Sequence, residues 1–111
     1  MTTKQVADMV AEFGIPSAYY QFNKDTATAP PFTCFFFTTN NDAIADNSNY
    51  VKIEHLAIEV YTAAVKDFEL ERTVEDVLAS HGMVWTKGEA SIDSEQLYEV
   101  IYEMDVIITE V

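Results

Sequence analysis

The stretch Leu97 to Ile108, Leu-Tyr-Glu-Val-Ile-Tyr-Glu-Met-Asp-Val-Ile-Ile, constrains the fold more than any other. Tyr98, Val100, Tyr102, Met104, Val106 and Ile108 occupy one set of alternate positions. Glu99, Glu103 and Asp105 occupy the other, with Ile101 among them. Side chains of a strand point to opposite faces with a period of two, so this segment has one apolar face and one largely acidic face. Tyr, Val and Ile favour strands, and no Gly or Pro interrupts the run. The pattern predicts a long strand near the middle of an antiparallel sheet.

Ahead of it, Val6, Met9, Val10 and Phe13 recur at i, i+3, i+4 and i+7, the stripe of a short helix. Thr2 and Gln5 have the spacing of a capping box, and Gly14 followed by Pro16 ends the helix. Ser17 to Phe22 reads as a first strand and Asn23 to Pro31 as turn-like. Phe32 to Thr39 is a second strand with aromatics on both faces, Phe32 and Phe36 on one and Phe35 and Phe37 on the other. That arrangement suggests a strand covered twice, once by the core and once by a helix or a partner.

Asn40 to Asn49 is polar, shows no helical or strand period, and is longer than the usual ~4–6-residue connection, which suits a loop or arm that meets a partner. Tyr50 to Tyr61 is a third strand, with a bulge or a change of environment expected near Glu54-His55 where the apolar parity changes. Lys66 to His81 reads as a second helix with Leu70, Val74, Val77 and Leu78 as its buried stripe, acids in its first turn and Gly82 closing it. Met83 to Lys87 is a fourth strand, Gly88 a turn, and Ala90 to Asp93 leads into the last strand. The order is α-β-β-β-α-β-β: a single α+β domain over residues 1–111, mainly antiparallel sheet packed with two helices.

Composition matters here for what it excludes. Nineteen Asp and Glu against six Lys and Arg give a formal charge of -13, which repels a phosphate backbone and an anionic membrane alike. No run approaches the ~18 apolar residues of a bilayer span, and the amino-terminal stretch lacks the continuous apolar core of a signal peptide. The single cysteine, Cys34, forms no intrachain disulfide and reads as a small buried hydrophobe. A soluble protein of a reducing cytoplasm is the expectation.

Nothing in the chain nominates an active site. His81 suits the carbonyl end of its helix, and the sequence neighbour Glu54 points away from His55 on a strand. There is no GxSxG, no phosphate-binding glycine loop and no zinc spacing. Asp42, Asp46 and Asn47 lack the glycine and distal Glu of a calcium loop. No catalytic, cofactor or metal residues are therefore expected. The acidic strand positions are more informative: Glu59, Glu99, Glu103 and Asp105 fall on one side of the sheet, either as a solvated face or as a negative surface past which a polyanion slides without sticking.

Leu56-Ala-Ile-Glu-Val-Tyr-Thr62, the acidic helix Asp67-Phe-Glu-Leu-Glu71, Trp85-Thr-Lys87, Ile92-Asp-Ser-Glu-Gln-Leu-Tyr98 and Glu99-Val-Ile-Tyr-Glu103 together resemble the small tail terminator and tail completion proteins of long non-contractile-tailed phages and prophages. The similarity runs from about Tyr50 onward, with the first helix consistent in position and length. The resemblance implies a structural, non-enzymatic head-tail joining protein, made in the host cytoplasm and then part of the virion. Such proteins assemble as a ring, commonly a hexamer, that caps the tail tube and contacts the tail tube protein and the head connector or stopper.

Beside that resemblance, the residues suggest Glu59, Glu99, Glu103 and Asp105 as lumen-facing. They suggest Phe35, Phe37, Asn40, Asp42, Asp46, Asn47 and Tyr50 as subunit interface. Two other readings stay open: an acidic inhibitor that mimics nucleic acid, and a small-ligand-binding α+β domain.

Overall fold

A computed structural model describes residues 1–40, 43–45 and 48–109, with side chains outside 40–51. Helix α1 (Thr3–Ala11) begins on the expected capping box: the Gln5 amide donates to Thr2 Oγ1 at 3.1 Å and the Thr2 amide to Gln5 Oε1 at 2.8 Å. Val6, Met9, Val10 and Phe13 are buried, and Gly14 takes φ +81° where the helix ends.

Strands β1 (Ser17–Tyr19), β2 (Phe32–Asn40), β5 (Ile53–Ala63), β6 (Thr86–Ile92) and β7 (Leu97–Ile107) form one sheet in the order β1-β2-β5-β7-β6. Every pairing but one is antiparallel, and β7 lies between β5 and β6. The exception is β1, which runs parallel to β2. The connection at residues 20–31 is long enough to carry the chain back to the same end of the sheet. β1 is also shorter than expected, because Tyr20 turns into the left-handed region at φ 70°.

Three further boundaries differ from the sequence reading. The 40–49 stretch is not all loop: β3 (Ala43–Ala45) and β4 (Ser48–Val51) pair as an antiparallel hairpin outside the main sheet. Strands of three and four residues are too short to display a period of two. Tyr50 to Tyr61 is divided at Lys52 into the end of β4 and β5; within β5, Ile53 pairs with Ile107 on the face opposite Leu56 and Ile58. The expected irregularity near His55 is carried by β2, whose Thr38 and Thr39 together oppose that one residue.

The strand after α2 (Phe68–Ser80) starts at Thr86, not Met83. Residues 81–85 belong instead to the exit from the helix. The Met83 amide bonds the Leu78 carbonyl at 3.0 Å, the Gly82 amide bonds that of Ala79 at 3.0 Å with Gly82 at φ 73°, and Val84 is left 87% exposed. Gly88 sits inside β6 and Ala90 belongs to the same strand; the turn comes later, at Asp93–Glu95. A Cβ at Gly88 would lie 3.2 Å from Ile101 Cγ2, so the glycine makes room for that side chain.

Both helices cover one face of the sheet. Phe35 from β2, Leu56, Ile58 and Val60 from β5, and Val100, Tyr102, Met104 and Val106 from β7 share one core with α1 and with Val74 and Leu78 of α2. Asp67 caps α2 rather than entering it, its Oδ1 accepting from the Leu70 amide at 3.0 Å. His81, at the other end, has Nε2 2.5 Å from Glu12 Oε2, which links the ends of the two helices.

A charged network joins α2 to β6. Glu71 is 5% exposed and accepts from Lys66 at 2.8 Å and from Lys87, whose ammonium also meets Glu75 at 3.0 Å. Burial pulls the Lys66 ammonium down, but the carboxylates of Glu71 and Glu89 outweigh it and hold the group above its ordinary range. Lys87 reaches the helix because the strand register puts it on the covered face of the sheet with Tyr102, and Lys66 because it directly precedes the Asp67 cap of α2.

Candidate functional site: the open acidic face

The face of the sheet opposite the helices carries the other parity of every strand. From β2 it holds Phe32, Cys34 and Phe36; from β5, His55, Ala57, Glu59 and Tyr61; from β7, Glu99, Ile101, Glu103 and Asp105. The four acidic residues singled out in the sequence therefore project from one side. No strand position on this side is Lys or Arg among the described residues, which leaves His55 as its cationic group.

Register sets an uncharged residue or His55 directly across from each of these acids. Glu59 stands opposite Cys34 and Ile101, Glu99 opposite Tyr61, Glu103 opposite Ala57, and Asp105 opposite His55. No carboxylate directly faces another, and this limits the cross-strand repulsion that an acidic sheet face otherwise carries.

Two clusters result. At one end, His55 is clasped between Asp105 Oδ1, 3.1 Å from Nδ1, and Glu103 Oε1, 3.2 Å from Nε2. The bond to Asp105, followed by that to Glu103, raises the imidazole pKa above its usual value and favours the charged form. With both ring nitrogens engaged by carboxylates, neither is free to take a proton from a substrate.

At the other end, Glu59 receives the Tyr61 hydroxyl, with Glu99 beside it. Burial, and then the contact with Glu99, pushes the Glu59 carboxyl up to about 7. Partial burial and a like charge nearby both disfavour the ionised form of a carboxyl group. Tyr61, half-buried beside them, is driven well above the ordinary phenol range, chiefly by burial.

The remaining part of the face is aromatic. Phe32 stacks on Tyr61 with ring centroids 4.9 Å apart, Phe22 stands edge-on to Phe32 at 5.5 Å, and Tyr20 stands edge-on to Phe36 at 5.5 Å. The segment 20–31 thus covers β2 on this face, where a helix or a partner was expected. Cys34 is buried beneath, and its thiol is pushed up by that burial.

Sequence parity grouped the acids correctly but misjudged part of the interface set. Phe35 is 6% exposed and lies in the core, and Phe37 is half-buried against it, because both share the helix-covered face. Phe35 is therefore not available to a neighbouring subunit. Asp42, Asp46 and Asn47 lie outside the described residues; Asn40 and Tyr50 belong to β2 and β4 by backbone, and their side chains lie outside as well.

His55 and Tyr61 were not singled out for this face. Their parity matches that of Glu59, and the missing information was the β5–β7 register that sets His55 against Asp105. Among the described residues no group of three or more His, Cys, Asp or Glu is arranged to hold a metal ion. No helix of the described chain is long and apolar enough to cross a membrane. No protein-family model matches the chain, and no curated protein matches it.

Proposed function

We propose that this chain is a structural, non-enzymatic subunit of a homo-oligomeric ring, of the kind that caps the tail tube of a long non-contractile-tailed phage and joins it to the head. The observation that carries the reading is the placement of Glu59, Glu99, Glu103 and Asp105 on one face without Lys or Arg, opposite the helices. Turned toward a lumen, such a face repels the DNA backbone and lets it pass. The β3–β4 hairpin, paired to no strand of the main sheet, is suited to reach a neighbouring subunit. The resemblance of the segment from Tyr50 onward to tail terminator and tail completion proteins supports the same role.

On this reading the partners are further copies of the chain, commonly six in all, together with the tail tube protein and the head connector or stopper. The protein is made in the host cytoplasm and ends in the virion. Replacing Glu99 and Glu103 together by Lys tests the lumen assignment. Tails that still complete but fail to pass DNA support it, whereas normal completion and DNA ejection would sink it.

A further inference from the structure

At one end of the open face the segment 20–31 folds over β2 and β5 and leaves a groove of about 470 Å³. Its size falls within the roughly 300–1,000 Å³ of small-ligand sites. The walls are flat aromatic surface: the stacked Phe32–Tyr61 pair, Phe22 across it, and Tyr20, 64% exposed and set on a left-handed backbone. A non-glycine residue in that region carries a backbone cost, of the sort retained where the side chain is displayed for use. The exposed Glu95, from the turn between β6 and β7, stands in the wall of the groove. The Tyr61 hydroxyl leads from the groove to the Glu59–Glu99 pair.

Aromatic faces are electron-rich, and a carboxylate beside them makes a site for a cation with a planar, apolar body. Of the chain's five lysines, Lys4, Lys52, Lys66 and Lys87 each lie within 4.0 Å of a carboxylate elsewhere, and Lys24, in the segment 20–31, is not among the residues that line the groove. The one arginine, Arg72, is on α2 among Glu69, Glu75 and Asp76, so a second copy would bring carboxylates against carboxylates.

We infer that this groove receives an arginine side chain from a basic segment of a different protein, with its guanidinium against the aromatic wall and bonded to Glu95. Guanidinium suits the site better than ammonium because it is planar, weakly hydrated and able to stack and hydrogen-bond at once. Tyr61, in the groove wall, donates to Glu59, so a further carboxylate stands beside the groove for a basic residue flanking the arginine. The inference does not depend on ring formation.

The test is a titration of the full chain, followed by amide NMR shifts at 150 mM salt, with acetyl-Gly-Arg-Gly-amide and its lysine and leucine counterparts. The expected result is saturable shifts from the arginine peptide, confined to Phe22, Phe32, Tyr61, Glu95 and their neighbours, with weaker responses to the other two. Glu95→Gln, on an exposed turn away from the core, weakens the arginine peptide about three- to tenfold, the effect of one charge-assisted bond, and leaves the leucine response unchanged. Equal binding of the lysine or leucine peptide would overturn the inference. So would no shift at all, or shifts spread over the surface carboxylates and indifferent to Glu95→Gln.

Discussion

His55 and Asp105 face each other across β5 and β7, with Nδ1 3.1 Å from Oδ1, and Glu103 closes on the other nitrogen at 3.2 Å. The imidazolium so held is, among the described residues, the cationic group of a face of carboxylates. It ties the end of that face together as a charge bridge between two strands.

The bridge has a pH signature. The folded His55 pKa is raised by Asp105 and then Glu103, so its contribution is complete below the unfolded value, ~6.5, and is lost as pH rises through the folded value. His55→Gln is expected to cost on the order of 0.5–1 kcal/mol at pH 5.5, the scale of a partly exposed pair, with the difference shrinking toward zero above neutrality. Urea unfolding of both proteins across that range checks it. A difference that grows with pH would contradict the assignment.

Glu59 runs the opposite way from most carboxylates. Its folded pKa, raised by burial and by Glu99 to about 7, exceeds its unfolded value, so the folded state binds the extra proton. Stability therefore falls as pH rises from about 4.5 to about 7. Glu59→Gln, which keeps the shape of the protonated group, removes that fall. The variant is expected to gain on the order of 1–2 kcal/mol relative to the parent between pH 4.5 and pH 8, after allowing for partial solvent screening. Parallel stability curves for the two proteins would show that the fold does not hold the Glu59 carboxyl protonated.

Glu71 is the test of the other layer. It is nearly inaccessible and pairs with both Lys66 and Lys87. Glu71→Gln leaves two ammonium groups with reduced compensation, though Glu89 and Glu75 remain to them. A loss of about 2 kcal/mol is expected, below the ~3–5 kcal/mol of a fully buried pair because both lysines are partly exposed. A midpoint of urea unfolding within error of the parent would mean that the network contributes nothing.

The elements visible in the sequence were those with enough turns or residues to show a period. The Val6–Phe13 stripe, the Leu70–Leu78 stripe and the alternation from Tyr98 to Ile108 all correspond to buried faces. β3 and β4 were not legible, being too short, and the start of β6 was displaced because Met83 closes the helix cap instead of entering a strand. The acidic face was half legible. Parity placed Glu59 with Glu99, Glu103 and Asp105, but the clasp on His55, the Glu59–Glu99–Tyr61 contact and the groove under segment 20–31 depend on register and on a chain reversal at Tyr20. Those are long-range facts, and local pattern does not encode them. Phe32 and Phe36 illustrate the converse: an aromatic on each face of β2 signalled two covers, yet one of them was the protein's own loop.

The most direct test of the ring account is native mass by light scattering over a concentration series, with negative-stain images of the same sample. The account predicts a discrete oligomer, commonly six copies, seen as rings with a central hole. Monomer at every concentration, with no rings on purified tail tubes either, would contradict it.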